Sequence, residues 1–277
     1  MNPAIALSIA GSDPSGGAGI QADLKTFTAL GVYGAAALAG LTVQNTQGVL
    51  AARPVDPDLV HEQIVAVIDD LPVAATKLGM LSDAAVASRV ADLLERRRAD
   101  FGLVILDPVM VATSGDALLR SQAQTALTQE LFPLATVVTP NLDEAGWLIG
   151  RQIPSASAME QAAQDLLAMG AAHVLLKGGH LPGETVVDLL LTESGERCWM
   201  EAPRIHSPNT HGTGCTLSSA IASNLAKGFP MDVSVERAKA YISGALAAML
   251  DLGKGSGPMN HGFAITGEYA KEVQDHE

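Results

Sequence analysis

The chain is short of charge. Asp, Glu, Lys and Arg make up only 17% of its 277 residues, against 48% hydrophobic ones, which excludes a disordered chain and leaves ample material for a core. What charge there is leans negative: 17 Lys and Arg against 30 Asp and Glu leave a formal -13. No Lys/Arg stripe exists to neutralise phosphates, so a nucleic-acid partner is excluded. Cysteine is almost absent. Cys198 and Cys215 form neither a CxxC nor a disulfide pattern, which fits a reducing cytoplasm. The seven histidines follow no HExxH or finger spacing, which excludes a structural zinc site. No run of about 20 residues is apolar enough to span a bilayer. Met1-Asn2-Pro3-Ala4-Ile5 lacks a basic region followed by a long apolar one, so neither a signal peptide nor a membrane partner is expected. No Pro/Ser-rich linker or repeat divides the sequence, and residues 1–277 read as a single domain.

What is present is alternation. Runs at Ala4–Ala10, Leu103–Pro108, Thr136–Pro140 and His173–Gly179 read as buried strands, each of the last three ending in polar, Pro or Gly residues. Between them, helical patterns cover about Ala18–Leu30, Pro57–Asp69, Asp83–Arg98, Ala123–Leu131 and Ser157–Met169. Strands alternating with helices predict an α/β fold with a mostly parallel sheet covered on both faces. In such sheets ligands bind beyond the carboxyl ends of the strands, which nominates Asp13, Asp107, Asn141 and Lys177.

Two glycine clusters precede helices. Gly11-Ser12-Asp13-Pro14-Ser15-Gly16-Gly17 has the glycine separation of a P-loop, but Gly17 and Ala18 stand where Lys and Ser/Thr belong. In Asn209-Thr210-His211-Gly212-Thr213-Gly214-Cys215-Thr216, two glycines at a helix start let backbone N–H groups face an anion, aided by the helix dipole. Leu217, Ala220, Ile221 and Leu225 predict an amphipathic helix behind this loop, and the same field favours a Cys215 thiolate. Gln44, after an apolar run over Leu38–Val43, offers an amide that both donates and accepts, as a heteroaromatic ligand with ring nitrogen and exocyclic amine requires. Asn141 and Glu144 have the spacing of a capping box; Glu144 with Asp107 also suits Mg²⁺ held through water. Lys177-Gly178-Gly179 suits a phosphate contact.

Together, Ala10–Thr26, Val43-Gln-Asn-Thr46, Lys77-Leu-Gly-Met80, Asp107-Pro-Val-Met110 and His211-Gly-Thr-Gly-Cys215 resemble the hydroxymethylpyrimidine/phosphomethylpyrimidine kinases of thiamine biosynthesis, from about residue 4 to about residue 263. The resemblance implies a ribokinase-like three-layer fold and ATP-dependent phosphorylation of a hydroxymethylpyrimidine, then of its monophosphate. It implies Gly11, Asp23, Gln44 and Met80 around the pyrimidine, and Lys177 with Gly212, Thr213, Gly214 and Cys215 at the ATP phosphates. Asp107 and Glu144 would support Mg²⁺, Cys215 would be the base, and the enzyme would be a cytoplasmic homodimer. Closely similar pyridoxal kinases carry another residue where Gln44 stands; they and a non-catalytic pyrimidine-binding protein are the competing readings. The sequence departs from the family's usual pattern at Thr113, where relatives commonly have lysine.

Overall fold

The computed structural model describes residues 2–109, 122, 124–179 and 181–267. Ile5–Gly11 forms β1 and is buried over nearly its whole length, as its largely apolar composition favours. Tyr33–Asn45 (β2) and Gly48–Pro54 (β3) follow, then Ala75–Leu78 (β4), Leu103–Leu106 (β5), Val137–Val138 (β6) and His173–Leu176 (β7). Thr185–Thr192 (β8) and Arg197–Pro203 (β9) complete a nine-stranded sheet in the order β3-β2-β1-β4-β5-β6-β7-β8-β9. From β2 through β7 the paired strands are parallel, while β3, β8 and β9 pair antiparallel with their inner neighbours. The chain first builds outward from β1 on one side and then crosses to β4 on the other, so the strand order reverses at β1. Such a reversal opens a crevice at the carboxyl ends.

Helices cover both faces. Pro57–Ile68 (α2), Ala84–Arg96 (α3), Leu142–Ile149 (α4) and Ala156–Leu167 (α5) pack with Leu7, Ile9, Leu106, Val138 and Val174 on one side. Gly19–Ala29 (α1), Thr213–Ala226 (α6) and Met231–Ala247 (α7) pack with Ala6, Ile105, Val137 and Leu175 on the other. Neighbouring residues of one strand enter opposite layers, as the pleat dictates. Local chemistry sets the starts: Asp56 accepts from Asp58 N and Leu59 N before Pro57–Ile68, and Asp83 accepts from Val86 N.

Two expectations change. The helix behind the second glycine cluster is not amphipathic: every residue from Thr216 to Leu225 is buried, because α6 lies between the sheet and the other helices of its layer. Its polar side chains are satisfied internally; Ser223 donates to Ser219 O and Asn224 to Ala220 O. And β2 extends well beyond the apolar Leu38–Val43 run, with Leu41 and Val43 exposed on one face while Thr42 and Gln44 turn toward the crevice.

Candidate active site

The carboxyl ends of β1, β2, β4, β5 and β7 and the N-terminus of α6 enclose a cavity of about 480 Å³. Gly11, Gln44, Met80, Asp107, Glu144, Lys177 and Gly212–Cys215 all line it. A side chain at Gly11 would collide with Met80 Cε, so the bare backbone there leaves the methionine its place.

Lys177 follows β7 directly, its amide bonded to Pro140 O at 2.9 Å. Its ammonium lies 3.2 Å from Asp107 Oδ1 and 3.9 Å from Glu144 Oε2. Burial would lower the lysine's pKa, but Asp107 and Glu144 outweigh it and the net shift is upward. Asp107 also accepts from Thr139 Oγ1 at 3.1 Å and Ser218 Oγ at 3.3 Å. The Asn141/Glu144 capping box is real: Asn141 N donates to Glu144 Oε2 at 2.7 Å and Glu144 N to Asn141 Oδ1 at 2.8 Å. One residue thus starts α4 and faces the cavity. Burial, partly offset by Lys177, pushes the Glu144 carboxyl up to about 7.

Gly212 begins α6 at φ 79, and a side chain on it would collide with Gly17 O of the first glycine loop. Only glycine satisfies both demands. Thr213 folds back, its amide and its hydroxyl both donating to Thr210 O. Thr216 N is the first α6 amide bonded to Gly212 O, so helix geometry leaves the Gly214 and Cys215 amides without intrahelical acceptors. A Cβ on Gly214 would stand 3.4 Å from Lys177 Nζ and 3.6 Å from Asp107 Oδ2. Its absence keeps that space open beside two free amides and a lysine, an arrangement suited to a phosphoryl group.

Comparison with known proteins decides the family. The phosphomethylpyrimidine kinase family profile matches residues 13–260. This chain belongs to that family. The hydroxymethylpyrimidine/phosphomethylpyrimidine kinase of Rhizobium meliloti (strain 1021) is 52% identical over 262 residues, 93% of this chain and 97% of that one. The thiamine biosynthesis bifunctional protein ThiED of Geobacter sulfurreducens is 47% identical over 97% of this chain and 53% of its own length. Among solved structures, an ADP complex of Bacillus subtilis pyridoxal kinase superimposes with a TM-score of 0.85 at 37% identity, over 94% of this chain and 98% of that one. The ribokinase-like α/β fold expected from the sequence is the fold observed.

Within this family member, most residues picked from sequence converge on the cavity. Asp23 does not. It is fully buried in α1 behind the cavity wall, where Lys77 Nζ donates to its two oxygens at 3.0 and 2.9 Å and Ser8 and Ser219 each donate at 2.6 Å. The Cys215 expectation also changes. Burial raises its thiol, Lys77 and the Gly19 amide lower it, and Asp23 and Asp107 add to the rise, so the net shift is upward. Burial and the two nearby carboxylates set the direction, although the residue is only partly buried and still lines the cavity. Among the described residues, no three His, Cys, Asp or Glu side chains form a metal-holding group. Thr113 lies outside the described residues. Sequence reasoning passed over Lys77 and His211, which stood only as members of motifs; a lysine inside an apolar strand was the available signal for the first.

Proposed function

We propose that this chain phosphorylates 4-amino-5-hydroxymethyl-2-methylpyrimidine with ATP, first to the monophosphate and then to the diphosphate, in thiamine biosynthesis. The observation that carries the reading is that the pair of open α6 amides and Lys177 line the same cavity as Gln44 and Met80. Gln44, Met80 and Gly11 would hold the ring, with Asp23 supporting them from behind through Lys77. The Gly212–Cys215 segment and Lys177 would hold the phosphate being transferred. Phosphoryl transfer is mainly positioning and charge stabilisation, which those groups supply.

In the first transfer the substrate oxygen attacks the γ-phosphorus, the bond from that phosphorus to the ADP oxygen breaks, and the hydroxyl proton passes to Cys215 Sγ. A raised thiol pKa makes the sulfur scarcer as thiolate but a stronger base once ionised. The acceptor of the second transfer is a phosphate monoester, already largely ionised near neutral pH, and needs no base. Asp107 and Glu144 carry two carboxylates against one ammonium, which suits Mg²⁺ held largely through water, and Mg²⁺ there would supply positive charge to ATP's phosphates. We read the chain as one kinase domain, working in the cytoplasm as a homodimer; exposed Leu41, Val43 and Leu50 on the β2–β3 hairpin support the pairing. Among the described residues no helix is long and apolar enough to cross a membrane.

Cys215→Ala should lower kcat on the alcohol by roughly 10²–10⁴-fold and affect the monophosphate far less. Wild-type alcohol turnover should rise with pH through the alkaline range while monophosphate turnover stays flat. Equal losses in the two reactions would refute the base role. Pyridoxal, run beside the pyrimidine, tests the choice of ring.

A further inference from the structure

Three segments meet at one imidazole. His211 opens the second glycine cluster, and its amide donates to Gly257 O at 3.2 Å. Its Nε2 lies 2.7 Å from Asp13 Oδ2 in the first cluster and 3.2 Å from the near end of the Gln44 amide, at the Nε2 position. The Gly17 backbone passes so close to the ring that a side chain there would collide with His211 Cδ2.

Asp13 explains why the first glycine cluster resembles a phosphate loop without being one. Its carboxylate fills the loop's own amide cradle: Oδ1 accepts from Ser15 N at 2.8 Å and Ser15 Oγ at 2.7 Å, and Oδ2 from Gly17 N at 3.1 Å and Ala18 N at 2.8 Å. Burial works against the charge, but these bonds and His211 prevail and hold Asp13 below the usual carboxylate range. An ionised carboxylate offers no hydrogen. The proton in the 2.7 Å contact therefore sits on His211 Nε2, which makes that nitrogen a donor.

A donor nitrogen cannot accept from a second N–H. The two ends of a glutamine amide are nearly alike in shape, and the surrounding bonds decide which end points where. That nitrogen has one hydrogen, held mainly by Asp13, and no lone pair left in the ring plane, so an amide N–H beside it is repelled and the Gln44 carbonyl oxygen, sharing the same N–H at 3.2 Å, is favoured there; this turns the amide NH₂ into the cavity that Gln44 lines. We propose that His211 is a positioning residue for substrate specificity: locked as a donor by Asp13, it fixes the Gln44 amide so that the pocket offers an N–H to a ring-nitrogen acceptor. This deepens, and rests on, the pyrimidine kinase reading above.

The test compares 4-amino-5-hydroxymethyl-2-methylpyrimidine with the two analogues in which one ring nitrogen is replaced by C–H. The wild type should lose on the order of 10–100-fold in kcat/KM on one of them, as expected when a site's donor is left unpaired. His211→Leu should raise the KM for the pyrimidine about tenfold, leave the KM for ATP unchanged, and shrink that discrimination to a few-fold. His211→Gln, whose NH₂ offers one N–H to Asp13 and one to Gln44, should restore it. In a Gln44→Leu background, His211→Leu should add nothing to the pyrimidine KM. Undiminished discrimination in His211→Leu, or parallel rises in the two KM values, would overturn the inference and leave the kinase reading standing. The Gln44→Leu and His211→Gln arms keep the question open to refutation if His211→Leu fails to fold. Absence of wild-type turnover on the pyrimidine would overturn both.

Discussion

Two lysine–aspartate pairs at the cavity, Lys77–Asp23 and Lys177–Asp107, have similar chemistry and different fates. Lys77 and Asp23 are both fully buried, and Ser8 and Ser219 donate to the carboxylate as well. Lys177 is 13% exposed, sits 3.2 Å from Asp107 and reaches toward a second carboxylate, Glu144, at 3.9 Å. The first pair is short, saturated and sealed in the cavity wall. The second is looser, carries an excess of acid and opens on the cavity. A saturated pair can only hold the wall together, whereas a loose one can exchange a carboxylate for an incoming phosphate. Exposure and spare bonding capacity, more than residue type, distinguish the pair in the wall from the pair proposed to meet phosphate.

The sharpest way to break the contrast is Asp23→Ala. It strands a buried ammonium and should cost about 3–5 kcal/mol in stability, read from the denaturant midpoint. Lys177→Ala should do the opposite, lowering kcat by roughly 10²–10³-fold with an unfolding midpoint close to wild type. If the two variants show the same pattern of losses, the distinction between the pairs is wrong.

Glu144 gives a smaller effect with a definite sign. Its carboxyl, near 4.5 when unfolded, rises to about 7 in the fold, so the folded chain keeps a proton that the unfolded chain releases. Stability from this group is complete below about 4.5 and is lost as pH climbs through about 7. Glu144→Gln keeps an oxygen for the Asn141 amide, and should match wild type in acid yet exceed it above pH 7, by at most about 3 kcal/mol. Thermal unfolding across that range measures it. Smallest of all is Arg96→Ala. It removes the Asp92 partner at 2.7 Å from an arginine that is 73% exposed, and should change stability by no more than about 0.5 kcal/mol.

Much of this was legible in the residues. The runs that became β1, β5 and β7 are mostly apolar because both their faces are buried, and such runs read plainly. The residues closing β5 and β7, Asp107 and Lys177, could be picked for the same reason. Less legible was α6, whose leucine spacing suggested a wet face that the fold covers; its serines hide because each finds an internal acceptor. Asp23 was misplaced because a carboxylate on a helix says nothing of the lysine 54 positions away that neutralises it. The Cys215 ionisation followed the helix dipole in sequence and burial in space. Quantities set by distant parts of the chain were the ones missed.

The burial of α6 also decides what can move during turnover. A helix with one wet side can slide or tilt by exchanging contacts with water for contacts with protein. One that is packed all round cannot shift without opening voids on every side. The sulfur and the two open amides therefore form a stationary post. Whatever travel brings the reacting groups together falls to the ligands rather than to the helix.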